Sequence, residues 1–367
     1  MALRFAALLL LLGARAQQPF LAQQTQPFLV VATQRTGSKW VMQSLRQQTC
    51  DVAAFDEIYL SRGWCLDGPA KKAAGWKSDR TPCHRDLGLE LNSLEALFDD
   101  AVAPDPRLFA TDHARKWAAV YNRTRDTRQN FAYGFKWMVN QGMDELWGPL
   151  LATARARRLR VVFLYRRDLL RMLVSIAHNK RQFDAHPKDE AGLASIRSAK
   201  IPLPQGRALL SHLDELASHF EAMDFYRGQA AALGVETLKV VYEDVVDDAA
   251  HWFHKAWKFL TRGLDRSAST CDAKAPATGN DTMLIHKDAP RAYVSNWPSV
   301  RATLSRSPKY AYLVADGVEP TPRAASPAPT RQRRRAAAAA AGGSEGVLRP
   351  RPAGAVRRVA ITCIWWL

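Results

Sequence analysis

Arg35-Thr36-Gly37-Ser38-Lys39 gathers a permanent cation, two hydroxyls, a glycine and an amine directly after the apolar run Phe28–Ala32. A helical pattern carrying Val41 and Leu45 follows at once. Strand, tight turn and helix start aim backbone N–H groups and a helix dipole at one point, which suits a phosphate or sulfate. The loop is not a Walker A motif. Ala32 stands at that motif's first glycine position, and Ser38-Lys39 follow Gly37 where Lys-Ser/Thr is required. Taken alone, the segment is equally a plain turn in which Thr36 or Ser38 caps the helix.

A second cluster lies further along. Arg160-Val-Val-Phe-Leu-Tyr165 reads as a buried strand, and Arg166-Arg167-Asp168 follows it. Leu169, Leu170, Leu173, Val174 and Ala177 then recur at helical spacing, with Asp168 placed as the cap. Ser175 lies eight residues after Arg167, about two turns up that helix. A guanidinium and a hydroxyl so arranged can hold a second phosphate.

Together these segments resemble the sulfotransferases that use 3′-phosphoadenosine 5′-phosphosulfate (PAPS), and the Golgi and bacterial carbohydrate type above all. Further matches fall in the same order: Tyr133-Gly-Phe-Lys136-Trp-Met138, Leu238-Lys-Val-Val-Tyr242-Glu-Asp244, and Phe259-Leu260 at a helix end. The resemblance runs from about Phe28 to about Asp316. It implies an α/β fold, a P-loop-like three-layer sandwich whose central parallel sheet is flanked by helices. It implies PAPS as sulfuryl donor and 3′,5′-adenosine bisphosphate as product; no C-x-x-C or Cys/His pair has metal spacing, so no metal is expected. Arg35, Thr36, Gly37, Ser38, Lys39 and Trp40 would hold the phosphosulfate. Arg167 and Ser175 would hold the 3′-phosphate, and Tyr242 would lie against the nucleotide.

The same resemblance suggests the reacting groups. Arg35 would meet the leaving phosphate and Lys136 the sulfuryl oxygens. Many cytosolic relatives place a His base two residues after such a lysine, but this chain has Met138, which cannot take a proton. Ala54-Phe-Asp56-Glu57-Ile58-Tyr59 is similar to the element in which bacterial and Golgi types carry a carboxylate, so Glu57 is the expected base. Its plainer reading is a solvated acid at a loop edge. Lys39 departs from the small or hydroxyl residue usual in the family. Lys287 and Arg291, before Asn296-Trp297, are expected as lid contacts over the nucleotide.

The remaining chain is organised around this region. Strands and helices alternate in the βα order of a parallel sheet. Leu209, Leu213, Leu216, Phe220 and Met223 mark a long helix, and Gly234 lies just past its end. His212 and His219 on that helix are expected to face solvent or serve as caps. The domains are expected at 1–16 (signal peptide), 17–26 (linker), 27–317 (sulfotransferase domain) and 318–367 (a basic low-complexity tail). The first rests on Arg4, the apolar run Phe5–Leu12 and the small residues Ala14-Arg-Ala16. The tail carries Arg333-Arg-Arg335, six alanines and a Gly-Gly pair, a composition that buries no core. Residues 61–86, rich in Gly, Ser and Lys, are expected as a surface lobe.

Charge and cysteines point the same way. Of the net +17, +7 falls beyond residue 318 and +2 on Arg4 and Arg15, which leaves +8 for residues 17–318. A moderately basic domain suits an anionic nucleotide and a glycan acceptor, and without interleaved aromatics it does not suggest nucleic acid. Cys50, Cys65, Cys83 and Cys271 can form two disulfides in three pairings, with Cys363 left over. With the sequons Asn122-Arg-Thr124 and Asn280-Asp-Thr282, this suggests a secretory route, Golgi lumen or secreted. Membrane association follows only if the N-terminal segment stays uncleaved. Two other classes stay open: a P-loop-like small-molecule kinase, and a non-catalytic glycan-binding protein on the same fold.

Overall fold

A strand that must be apolar on both faces belongs at the centre of a parallel sheet covered by helices, and Phe28–Ala32 meets that demand. The computed structural model describes residues 25–48, 52–57, 87–98, 102–106, 117–118, 121–122, 131–141, 143–181, 198–264 and 289–314. The proposed signal segment, all five cysteines, the 61–86 excursion, Asn280, Lys287 and the tail from 318 lie outside the described residues. By contact the chain divides into a unit 1–300, which holds the sheet, and a unit 301–367, in which a short 3₁₀ turn spans Ala311–Val314.

The elements run β1 (Thr25–Ala32), α1 (Ser38–Gln48), β2 (Val52–Glu57), α2 (Leu87–Phe98), β3 (Phe131–Met138), α3 (Met143–Ala156), β4 (Arg160–Tyr165), α4 (Leu169–Arg181), α5 (Gly206–Ala232), β5 (Thr237–Val241), α6 (Tyr242–Asp247), α7 (Ala249–Thr261) and α8 (Trp297–Ser305). The five strands form one sheet in the order β2-β3-β1-β4-β5, and every pairing is parallel. This is the expected α/β architecture, with a central parallel sheet between layers of helices. The first strand begins at Thr25, three residues ahead of the apolar run, because its polar start still pairs with Phe131 and Ala132 of β3.

Alternation along β1 divides the core in two. Leu29 and Val31 join the cluster under α2, α3 and α5, with Phe135, Phe163, Trp147 and Met223. Phe28, Val30 and Ala32 join the other, under α1 and α7, with Trp40, Leu45, Phe253 and Leu260. Each fully buried large apolar side chain contributes about 1.5–3 kcal/mol. The segments after β1 and β3 therefore leave on opposite faces: α1 on one side, α3 on the other. In a parallel sheet that divergence opens a crevice at the carboxyl ends of the two strands.

Candidate functional site

The loop after β1 is shaped by three local devices. Thr36 is buried, and its hydroxyl donates to the Thr33 carbonyl at 2.9 Å, closing a turn. Arg35 and Gly37, on either side of Thr36, both take left-handed φ, 63° and 77°. Gly37 then starts α1, because its carbonyl accepts the first helical bond from Val41 N at 3.1 Å. The N–H groups of Ser38, Lys39 and Trp40 are thus those of a helix's first turn, with no partner inside the helix. The glycine is required twice over: besides its φ, a Cβ there would overlap the Tyr242 ring.

Arg35, Lys136 and Glu57 come together beside this loop. Lys136, at the end of β3 and buried, places Nζ 2.8 Å from Glu57 Oε1. Gln141 Nε2 donates to the other oxygen, Oε2, at 2.9 Å, while Gln141 Oε1 accepts from Met138 N at 3.2 Å. Burial pulls the Arg35 guanidinium below its ordinary value, and the Glu57 carboxylate opposes that pull. A desolvated guanidinium with one carboxylate in its field, beside helix N–H groups, is a donor set that fits a sulfate or phosphate ester.

Glu57 ends β2, at a β-bulge, and is not an acid on an open loop. The β2–β3 register runs Val52↔Ala132 to Phe55↔Phe135 and then passes over Asp56, so that Glu57 stands opposite Lys136. Such an extra residue re-aims a strand end, a common device next to binding sites.

The second strand end is clasped to the first. Arg166 is buried, and its Nη1 donates to the Arg35 carbonyl at 2.7 Å. Its guanidinium lies 4.6 Å over the Tyr242 ring and 3.7 Å from Glu243. Glu243 accepts the backbone N–H of both Arg167, at 2.9 Å, and Asp168, at 3.1 Å. Arg167 itself pairs with Asp244 at 2.5 Å, each about one-third exposed. Asp168 caps α4 as expected, accepting from Arg171 N at 2.8 Å. Ser175 sits half-buried on α4, and Arg291 lies exposed in a 3₁₀ turn at Pro290–Ala292 that packs against that helix.

The remaining expected residues are placed by packing. Tyr242 opens α6, directly after β5, with its ring against Gly37. Burial pushes its hydroxyl up, and Arg166 opposes this. Trp40 is buried edge-on between Tyr242 and Phe253, with centroids 5.9 and 5.6 Å away. Lys39 is half-exposed on the first turn of α1.

One expectation is corrected. His219 is half-buried and contacts the loop rather than standing free in solvent. Its Nδ1 lies 3.1 Å from Thr33 Oγ1, at the entry to the loop. Burial depresses its pKa, and Glu215 on the same helix opposes the shift. Thr33 continues the inward alternation of Leu29 and Val31, so α5 meets the loop from that face. Arg166, Glu243, Gln141 and His219 had no signal in sequence spacing. Only the adjacency of Arg166 to Arg167 and of Glu243 to Tyr242 hinted at two of them.

No protein-family model and no curated protein sequence matches the chain. Solved structures similar to it include a sulfotransferase from Alicyclobacillus acidocaldarius, 13% identical over 64% of this chain and 80% of that one, with a TM-score of 0.33. The sulfotransferase domain of the Synechococcus PCC 7002 olefin synthase is 14% identical over 77% and 90%, with a TM-score of 0.34. Mouse sulfotransferase SULT7A1 complexed with PAP is 11% identical over 78% and 88%, with a TM-score of 0.31. Likenesses this slight assign no role to any residue of this chain.

Proposed function

We propose that this chain is a PAPS-dependent sulfotransferase acting on a hydroxyl of a carbohydrate-type acceptor, in the secretory pathway. The observation that carries the reading is the convergence of Arg35, Lys136 and Glu57 beside the first turn of α1, at the carboxyl ends of β1, β2 and β3. When bound, PAPS supplies a sulfuryl group whose S–O bond to phosphate breaks as the acceptor oxygen bonds to sulfur. Arg35 and the first-turn N–H groups hold the charge that develops on the leaving phosphate. Lys136 turns from Glu57 toward the sulfuryl oxygens, and Glu57, released from that pair, takes the acceptor's proton on a carboxylate oxygen. Gln141 keeps the carboxylate oriented throughout.

Arg167, with Ser175 on the following helix, holds the 3′-phosphate, which replaces Asp244 on the guanidinium. Lys39 and Tyr242 border the donor, and Arg291 covers it. A glycan acceptor is supported by the basic balance of residues 17–318, the secretory features of the sequence and the absence of a His two residues after Lys136. The test is transfer of label from PAPS, without added metal, to a panel of glycan, tyrosyl-peptide and phenol acceptors, alongside ATP with Mg²⁺. Sulfated glycan is the expected product. Phosphorylation from ATP, or no transfer with no binding of 3′,5′-adenosine bisphosphate by folded protein, would overturn the reading.

A further inference from the structure

The other edge of the sheet, where β1, β4 and β5 begin, holds a cavity of about 730 Å³. Three helices end on it: α3 before Arg157, α5 before Gly234 and α7 before Arg262. Arg155, Arg157, Arg158, Arg160 and Arg262 line it, and Glu236 is the one carboxylate among the described lining residues. Helix C-termini attract cations, so part of this charge is structural. Three ends supply about half a negative charge each, and with Glu236 they offset roughly half of the five positive charges. A net positive charge is left in a concave, polar site.

The arginines divide into two groups. Arg160 and Arg262 belong to the floor: both pair with Glu236, and Arg160 also donates to the carbonyls of Leu260, at 2.9 Å, and Arg262, at 2.6 Å. Arg155, Arg157 and Arg158 line the cavity from the end of α3 and are exposed. Arg158 stands there against its backbone preference. It has φ 53°, inside a Schellman turn closed by Leu159 N to Ala154 O at 2.8 Å and Arg158 N to Arg155 O. The same turn at the end of α5, across the cavity, uses Gly234 at φ 76°. Glycine takes this conformation without steric cost and arginine does not. A strained backbone position that places a charged residue at the lining of a cavity points to a use for that residue.

We propose that this cavity is a second anion site, binding a compact ligand that bears two or more sulfate or phosphate ester groups. Its volume is that of a small-molecule pocket, and guanidinium forks match such oxyanions bidentately. The site lies at the amino ends of the strands, whereas the loop 33–37 lies at the carboxyl ends, and it stands whether or not the sulfuryl-transfer reading does.

The experiment is calorimetric titration of the full-length chain with a disulfated disaccharide and with inositol hexakisphosphate, at low and moderate salt. At least one probe binds the wild type, and added salt weakens it. The Arg155→Gln, Arg158→Gly variant binds it about tenfold or more weakly. Arg158→Gly alone melts no lower than wild type, since glycine suits that φ. Arg35→Ala, at the other edge, leaves probe binding intact. Binding of only the sulfated or only the phosphorylated probe supports the site and names its ester. No binding of either probe, equal binding by the double variant, or loss in Arg35→Ala would overturn the proposal.

Discussion

Lys136 Nζ meets Glu57 Oε1 at 2.8 Å across the ends of two neighbouring strands, with the lysine almost fully buried and the glutamate about one-fifth exposed. A buried ion pair of this kind costs desolvation to form, and removing one partner strands the other. Glu57→Ala is therefore expected to destabilise the fold by about 3 kcal/mol. Adding Lys136→Met to it should recover most of that loss, read as denaturation midpoints in a double-mutant cycle.

Glu57→Gln separates chemistry from stability. It keeps an acceptor for Gln141 and Lys136 but cannot take a proton. Donor binding is expected to stay near wild type while kcat falls by about 10²–10⁴. A variant that turns over as wild type would remove Glu57 from the mechanism.

Gly37 and Tyr242 are coupled by contact. Gly37→Ala adds a methyl group where the Tyr242 ring stands and forces an L-residue to φ 77°. Donor affinity and melting temperature are both expected to fall, the backbone contributing about 1–2 kcal/mol. Combined with Tyr242→Ala, the same substitution should cost less than it does alone, because only the steric part is relieved.

Asp244 holds the Arg167 guanidinium in the free protein. Asp244→Asn removes a charge that competes with an incoming phosphate, yet keeps a hydrogen-bond acceptor. Because the pair is partly exposed, the effect is modest: about twofold to fivefold tighter binding of 3′,5′-adenosine bisphosphate at low salt. Arg167→Ala should weaken the same binding, and a calorimetric titration reads both.

His219 has a pKa below its ordinary 6.5 because it is buried, despite opposition from Glu215. The folded state therefore binds its proton less readily than the unfolded chain. Its contribution to stability is complete above pH 6.5 and is lost as the pH falls below that value, levelling off below the folded pKa. Comparing melting temperatures of wild type and His219→Asn between pH 8 and 5 tests this. The wild type should lose more on acidification, and the variant's curve should be flatter.

Much of this architecture was legible along the chain because its causes are local. Unbroken apolar runs such as Phe28–Ala32 and Arg160–Tyr165 specify buried parallel strands. Asp168 before a helical pattern specifies a cap, and Gly37 between Thr36 and Ser38 specifies a turn that opens a helix. Partner choice was not legible, since it depends on register and on segments remote in sequence. Asp56 and Glu57 are adjacent carboxylates, and only the bulge in β2 selects Glu57 to face Lys136. Arg166 reaches across 131 residues to the Arg35 carbonyl, and Glu243 across 76 to the amide of Arg167. His219 meets Thr33 across 186, because α5 crosses the sheet face onto which the alternation of β1 turns that threonine. The sequence by itself determined the layers and the loop, through hydrophobic period and turn chemistry acting over a few residues. The tertiary structure alone decided which charges meet, because a side chain's partner is set by how distant elements pack against one sheet.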